Sequence, residues 1–411
     1  MTQTTSLTVI HTSDWHLGHE LNSHGREAEH DLFLDWLLGQ IGEHGADALL
    51  VTGDVYDVAN PPVAAMRRLF AFLNAATARY PQLQILILGG NHDSAMRIDL
   101  PAALLGEGRV HFAGALPRRD GAPDFERMLL PLHDAAGQTA AWLAAVPFCR
   151  PGDLGTHTLS TLYDAALEAG SARAGALPLI VTGHLHVAGG DVSEMSERRI
   201  VVGGEEAQAA SLFDARAAYV ALGHLHRPQQ IAAETQVRYA GSPFPLSSTE
   251  RGYRHSISVV RLGHGSCEIE LVEIPRPAAF LSIGPAPLDA VVRQIEALEL
   301  DAEVPAALWP FIEITVAVEG PEPHLQTRVL GALEGKPVRL ARLGRTIVAA
   351  AGAAPPGTVL DDLADLKPEA VFSALFARAY EGASPPDDLA RAFAELLVET
   401  ETAPETTGEP A

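Results

Sequence analysis

Short apolar runs alternate with amphipathic stretches from residue 7 to about residue 275, and this alternation predicts an α/β layer architecture. The runs 7–11, 48–52, 84–88, 141–146, 179–182, 200–203 and 219–222 are read as strands, and 238–239, 256–260 and 267–274 as later ones. Between them, Ala28, Leu32, Trp36 and Ile41, with Phe33 and Leu37 beside them, recur at helical spacing over 27–41. That helix carries more apolar surface than one buried stripe needs. A second helix is predicted over 62–78, with Pro61 and Pro62 near its first turn, where a missing N–H costs little.

Pro275, Pro277, Pro285 and Pro287 then punctuate the chain and mark a boundary. Beyond it, 288–298 and 325–333 read as helices and 311–318 and 338–342 as strands, which makes a small second α/β unit. After a Gly- and Pro-containing loop, two more helices are expected at 368–381 and 387–400. The expected organisation is therefore a main domain over 1–276, a small α/β domain over 277–348, a helical segment over 356–400 and a disordered polar tail over 401–411.

The length of 411 residues fits two or three domains, at roughly 100–200 residues each. With 29 basic against 52 acidic residues the net charge is −23, which argues against a stand-alone nucleic-acid-binding module that relies on phosphate attraction. Only Cys149 and Cys267 are present, so neither a disulfide framework nor a zinc ribbon is available. The first residues lack a basic segment followed by an apolar one, and no apolar run reaches the roughly 18 residues of a membrane span. A cytoplasmic location is expected.

The chemistry lies where the apolar runs stop. Five of them end abruptly in polar groups able to bind metal, usually across a glycine. These are Asp14 and His16 after 7–12, Asp54 after 49–53, Asn91 to Asp93 after 85–90, His184 and His186 after 179–183, and His224 and His226 after 219–223. In an α/β sheet the carboxyl ends of the strands converge on one crevice, so groups just past those ends meet. The set of Asp, Asn and His without thiolate suits Mn²⁺ or Fe²⁺ and tolerates Zn²⁺ or Mg²⁺. Seven or so ligands exceed the needs of one ion, which implies two, about 3.5–4 Å apart, with Asp54 as the natural bridge. A lone buried Asp or His is more often structural; five aligned strand ends outweigh that reading.

These segments resemble the calcineurin-like metallophosphoesterases: D-x-H at Asp14/His16, G-D at Gly53/Asp54, G-N-H-D from Gly90 to Asp93, G-H at Gly183/His184 and G-H-x-H from Gly223 to His226. Longer stretches, including 12–18, 26–30, 33–38, 90–94, 219–227 and 239–243, are similar to the SbcD group of bacterial nuclease subunits, relatives of the Mre-type repair nucleases. The resemblance weakens after about residue 275. It implies a β-sandwich flanked by helices, with a capping domain and C-terminal helices. One metal would take Asp14, His16, Asp54 and His226, and the other Asp54, Asn91, His184 and His224. His92 is the family's acid, which would protonate the leaving group, and Asp93 beside it would orient the ring. In the fourth motif His186 competes with His184, and His184 is assigned. His19, His24, His30 and His186 are read as structural or solvent-facing, with His30 on the exposed face of the first helix.

The implied activity is a two-metal, manganese-dependent DNA nuclease, a 3′–5′ exonuclease on duplex ends and an endonuclease at single strands and hairpins. It would be nucleoid-associated, homodimeric through Leu32 and Trp36, and partnered by an SbcC-like coiled-coil ATPase docked on the last helices. ATP would bind that partner, because no G-x-x-x-x-G-K-[ST] loop occurs in this chain. Arg97, Arg251 and Arg254 are candidate DNA contacts, as are the pairs at 67–68, 118–119 and 198–199. The alternatives are a small-substrate phosphodiesterase or phosphatase of the same superfamily, and a non-catalytic scaffold that intact His92 and Asp93 argue against.

Overall fold

Strands that are buried on both faces read as continuous apolar runs, and they form the centre of the computed structural model. It describes residues 6–102, 108–193 and 207–348, with isolated positions between 376 and 389. The first half runs β1 (Leu7–Thr12), α1 (Glu27–Glu43), β2 (Ala48–Thr52), α2 (Val63–Arg79), β3 (Gln84–Leu88) and β4 (Val110–Ala113). Next come β5 (Leu129–His133), β6 (Thr139–Ala144), α3 (Leu159–Ala174), β7 (Leu179–His184) and β8 (Tyr219–Gly223). They are followed by β9 (Gln229–Ile231), β10 (Val237–Tyr239), β11 (Ser256–Gly263) and β12 (Ser266–Glu273). A last group is β13 (Phe280–Pro287), α4 (Leu288–Glu296), β14 (Phe311–Val318), α5 (Leu325–Leu333) and β15 (Arg339–Ile347).

Among the described residues two six-stranded sheets form, in the orders β12-β11-β1-β2-β3-β4 and β9-β10-β8-β7-β6-β5. The first is parallel from β1 through β4 and antiparallel on the β11-β12 side; the second has a parallel centre and an antiparallel pairing at each edge. Side chains alternate across each strand. Leu7 and Val9 of β1 and Ala48 and Leu50 of β2 therefore face the second sheet, where they meet Leu143, Ile180 and Ala221. The opposite set, Ile10, Leu49 and Val51, packs under α1 and α2 against Phe33, Leu37 and Phe72. On the far side Val181, Val220 and Leu222 pack under α3 against Leu162, Tyr163 and Ala166. The result is a helix–sheet–sheet–helix sandwich, the expected fold class.

A polar trio crosses the sheet–sheet core: His11 lies 2.9 Å from the Tyr219 hydroxyl through Nδ1 and 3.0 Å from Thr52 Oγ1 through Nε2. Burial and the Arg238 charge push the His11 pKa down to about 3.

The small sheet β13-β14-β15 is parallel and has its own core around Val291, Ile295, Ile312 and Ile314. It belongs with the sandwich to one unit, Met1–Ile347, and Val348–Ala411 forms another. Two ionic junctions join the small sheet to the sandwich. In the first, Glu29 of α1 takes a bidentate pair of 2.7 Å hydrogen bonds from Arg26 and one of 3.2 Å from Arg339 of β15. The Phe311 ring lies under both guanidinium groups, 4.9 Å from Arg26 and 3.8 Å from Arg339. In the second, Glu313 of β14 accepts from Arg251 at 3.1 Å and from Ser248 Oγ at 3.2 Å.

The strand expected over 200–203 and the two C-terminal helices lie outside the described residues. His30 corrects the sequence reading: it is 1% exposed, with Nε2 donating to the Trp15 carbonyl at 2.7 Å. It pins the first metal-bearing loop to α1. No helix among the described residues is long and apolar enough to cross a membrane.

Candidate metal centre

The loops that leave the carboxyl ends of β1, β2, β3 and β8, with the last residue of β7, meet at one end of the sandwich. Parallel pairing continues past the strands and locks them: Asp14 N–H donates to the Gly53 carbonyl (3.0 Å), His16 N–H to that of Asp54 (2.9 Å) and Leu17 N–H to that of Val55 (2.9 Å). Turning side chains into the crevice costs strain. Asp14, His16 and Asp54 hold left-handed φ values of 51°, 45° and 46°, and His224 holds 107°, each at a cost of about 1–3 kcal/mol. The close approach also requires glycine: a Cβ on Gly223 would stand 1.9 Å from the Thr52 carbonyl oxygen.

Seven residues read from the sequence converge here. Asp14, His16 and His226 bring ligand atoms within 4.8 Å of one another, and so do Asp14, Asp54 and His184. Asn91 Oδ1 lies 2.8 Å from His184 Nε2 and 3.1 Å from His224 Nδ1. His186 stands apart from these groupings, half-buried, its ring 6.4 Å from that of His224.

Second partners orient the imidazoles. His16 Nδ1–H donates to Asp57 Oδ1 (3.1 Å), His184 Nδ1–H to the Thr52 carbonyl (2.9 Å) and His226 Nδ1–H to Glu250 Oε1 (2.8 Å). In all three the acceptor fixes the Nδ1–H tautomer and leaves Nε2 basic. His92 is held likewise, Nδ1–H to the Asp57 carbonyl at 2.7 Å, and is half-buried beside His16 with ring centroids 4.9 Å apart.

Asp93 requires a correction. Its carboxylate does not orient His92; it accepts the amides of Gly90 (2.9 Å), Val55 (3.0 Å) and Tyr56 (2.9 Å) and so braces two site loops together. Adjacent residues diverge in such a turn, and the ring falls to Asp57 instead. Asp57, three residues past Asp54, was missed by the sequence reading; an acidic residue at that short spacing in the same loop was the available signal. Glu250 was missed as well, and no local pattern announces it.

The electrostatics of the cluster call for a cation. Burial and the Asp54 charge raise the Asp14 pKa, against the pull of His184 and His226. Burial also opposes ionisation of Asp54, but the surrounding imidazoles, His184 foremost, overcome it and hold this carboxyl well below the usual range. Burial disfavours the His184 cation, yet Asp54 and Asp14 push its pKa up to about 9. Burial and the neighbouring His184 charge push His224 down to about 3. A proton on His184 thus supplies positive charge that a divalent ion would supply instead. His16 Nε2 is buried, lacks a hydrogen-bond partner and stands 3.6 Å from Asp54 Oδ2. An orphaned imidazole nitrogen among buried carboxylates, with Asn and His donors and no thiolate, fits hard or borderline divalent metals.

The sequence profile of the calcineurin-like phosphoesterases matches residues 7–228. The SbcD component of nuclease SbcCD from Rhodobacter capsulatus is 40% identical over 385 residues, 90% of this chain and 94% of that one. The chain belongs to the SbcD family of calcineurin-like phosphoesterases. The corresponding protein of Escherichia coli K12 is 35% identical over 334 residues, 75% of this chain and 78% of that one. A second profile, described as the type 5 capsule protein repressor C-terminal domain, matches residues 276–380. Among solved structures, a dimetal phosphatase from Danio rerio aligns with 66% of this chain and 99% of that one, at a TM-score of 0.39 and 13% identity. As an SbcD-family member, this chain is a metal-dependent hydrolase of phosphodiester bonds, and the clustered ligands make its centre a dimetal one.

The remaining candidates are dispersed. Arg97 is exposed on the short helix Ala95–Asp99 just past His92 and donates to Asn60 Oδ1 at 2.7 Å. Arg254 is exposed. Arg251 is exposed and pairs with Glu313 at 3.1 Å and with the Ser248 carbonyl at 3.0 Å, which ties it to the small sheet. On α1, Leu32 is 45% exposed, and Trp36 is half-buried against the helical core.

Proposed function

We propose that this nuclease cleaves DNA with two manganese ions, as the hydrolytic half of an ATP-dependent complex that processes ends and hairpins. One observation carries the reading: seven oxygen and nitrogen ligands from five strand ends share one buried crevice beside a tethered, half-exposed histidine. Asp14, His16, Asp54 and His226 would hold one ion, and Asp54, Asn91, His184 and His224 the other. Such a pair supplies Lewis acidity toward the phosphodiester oxygens and water of lowered pKa.

The chain's own groups do the rest. His92, with Nδ1–H held by the Asp57 carbonyl, keeps Nε2 for proton transfer to the leaving oxygen. Asp57 serves two rings at once, its carboxylate fixing His16 and its carbonyl fixing His92. Asp93 keeps the His92 loop in register with the Asp54 loop. Arg97 and Arg254 guide the DNA backbone. Residues 277–348 act as a cap over DNA access, and 356–400 dock an SbcC-like coiled-coil ATPase, a reading supported by the relatives' being subunits of nuclease SbcCD. Copies pair through the α1 surface at Leu32 and Trp36. Cleavage runs 3′–5′ from duplex ends and internally at single strands and hairpins, in the cytoplasm at the nucleoid.

The test uses the purified chain with Mn²⁺ on single-stranded, hairpin and blunt duplex DNA, with and without the partner ATPase, alongside bis(p-nitrophenyl) phosphate. Cleavage of the DNA substrates is expected. Turnover of the small ester with no DNA cut under any condition would instead assign a small-substrate phosphodiesterase.

A further inference from the structure

Glu250 is fully buried and ends the single turn Ser248–Glu250, 24 residues past His226. Its two carboxylate oxygens have different tasks. Oε1 accepts from His226 Nδ1–H at 2.8 Å, and Oε2 accepts from the Leu246 amide at 2.7 Å, which locks the carboxylate to its own turn. The other side of the turn is held from the small sheet. Ser248 Oγ donates to Glu313 Oε1 at 3.2 Å, and Arg251 spans the Ser248 carbonyl at 3.0 Å and Glu313 Oε2 at 3.1 Å. Glu313 itself is 7% exposed in the middle of β14. A buried carboxylate is retained at low cost only where donors surround it; here two of them, Ser248 and Arg251, belong to or adjoin the turn that carries Glu250, and Arg342 of β15, at 3.2 Å, is supplied by the small sheet itself.

We propose that the Ser248–Glu250 turn is a positioning element that couples the small sheet to the metal centre. Glu250 sets the tautomer and direction of the His226 ring, and Glu313 sets where Glu250 stands. The inference rests on the reading of His226 as a ligand and extends it to a residue of a different sheet. Any load that shifts the small sheet, such as DNA lying across it, alters the hold on His226, and by linkage metal binding alters the stiffness of that junction.

The experiment titrates the metal-free full chain with Mn²⁺ by calorimetry and follows the His226 Nδ1–H proton by NMR, with thermal denaturation of the metal-free proteins alongside. Glu250→Gln is expected to weaken Mn²⁺ binding about 10–100-fold, the usual cost of losing a ligand histidine's carboxylate partner. Glu313→Gln, which keeps the side-chain shape, is expected to weaken it about 3–30-fold and to shift the Nδ1–H resonance. The double variant should lose no more than Glu250→Gln alone, because both act through one imidazole. Wild-type affinity and an unmoved resonance in a folded Glu313→Gln protein would overturn the coupling, as would fully additive losses. His226→Ala separates the two readings. Unchanged Mn²⁺ affinity in that variant refutes the ligand assignment itself, whereas its loss combined with a silent Glu313→Gln refutes the coupling alone.

Discussion

Gly90 is the point at which the fold leaves the site no room. A methyl group built on its Cα would stand 2.2 Å from both the amide nitrogen and Oδ1 of Asp54, against an ordinary contact of 3.4 Å or more. Asp54 cannot retreat: its carbonyl accepts from His16 N–H at 2.9 Å, its Oδ1 accepts from His92 N–H at 2.9 Å, and its backbone is already left-handed. In Gly90→Ala the Asn91–Asp93 loop must therefore move outward by about 1.2 Å. That displacement separates Asn91 from His184 and His224 and loosens the three amide bonds to Asp93. A misplacement of about 1 Å costs on the order of 100-fold in rate, and overpacking costs about 1–3 kcal/mol of stability. Hydrolysis of bis(p-nitrophenyl) phosphate with saturating Mn²⁺ should show kcat/KM lowered about 100-fold, and thermal denaturation a lower Tm. Gly39→Ala is the matched control, since its Cβ would meet nothing within 4 Å: kcat/KM should stay at wild type and Tm should not fall, because alanine favours the interior of α1 over glycine. A Gly90→Ala enzyme within twofold of wild type and equally stable would refute the argument that these two loops are in contact at their limit.

Glu29→Gln leaves Arg26 and Arg339 without their buried counter-charge and should cost about 3–5 kcal/mol in urea denaturation; a loss below about 1 kcal/mol would mean that the junction is solvated. His11, with its pKa pushed down to about 3, stays neutral in the fold while the unfolded chain protonates near 6.5. Its contribution is therefore complete above that pH and is lost as pH falls from about 6.5 toward 3, with a slope of up to about 1.4 kcal/mol per pH unit. His11→Gln should flatten the acid limb of the stability profile by about one proton, and an unchanged limb would contradict the assignment. His92→Ala should keep metal stoichiometry while losing cleavage, whereas Asp54→Asn should lose both, as measured by metal analysis and nuclease assay on the same preparations. Full cleavage by His92→Ala would remove that residue from the mechanism.

The interior of the sandwich was the most legible part of the sequence. β2 and β3 match their predicted runs at both ends, because strands covered on both faces are apolar throughout except at a terminal position, Thr52 in β2 and Gln84 in β3. β7 continues two residues past the apolar run, since Gly183 and His184 still pair with Leu222 and Gly223, and a glycine in sequence looks like an end. β4 and β5 went unread because they are short edge strands with partly exposed positions. The convergence of Asp14, Asp54, Asn91 and the histidines was foreseeable, since each follows a strand end and strand ends share a crevice. What surrounds them was not. His30 is buried by a hydrogen bond to a carbonyl fifteen residues earlier. Asp93 turns away from its neighbour, and Glu250 reaches His226 only through the return of a distant turn. Periodicity records which face of an element is covered; it does not record which loop covers a given ring.

The central claim concerns two ions in one crevice, and anomalous diffraction from crystals grown with manganese tests it most directly. Two peaks are predicted, one among Asp14, His16 and His226, the other among Asn91, His184 and His224, with Asp54 reaching both. A single peak, or manganese bound away from these side chains, would contradict the account.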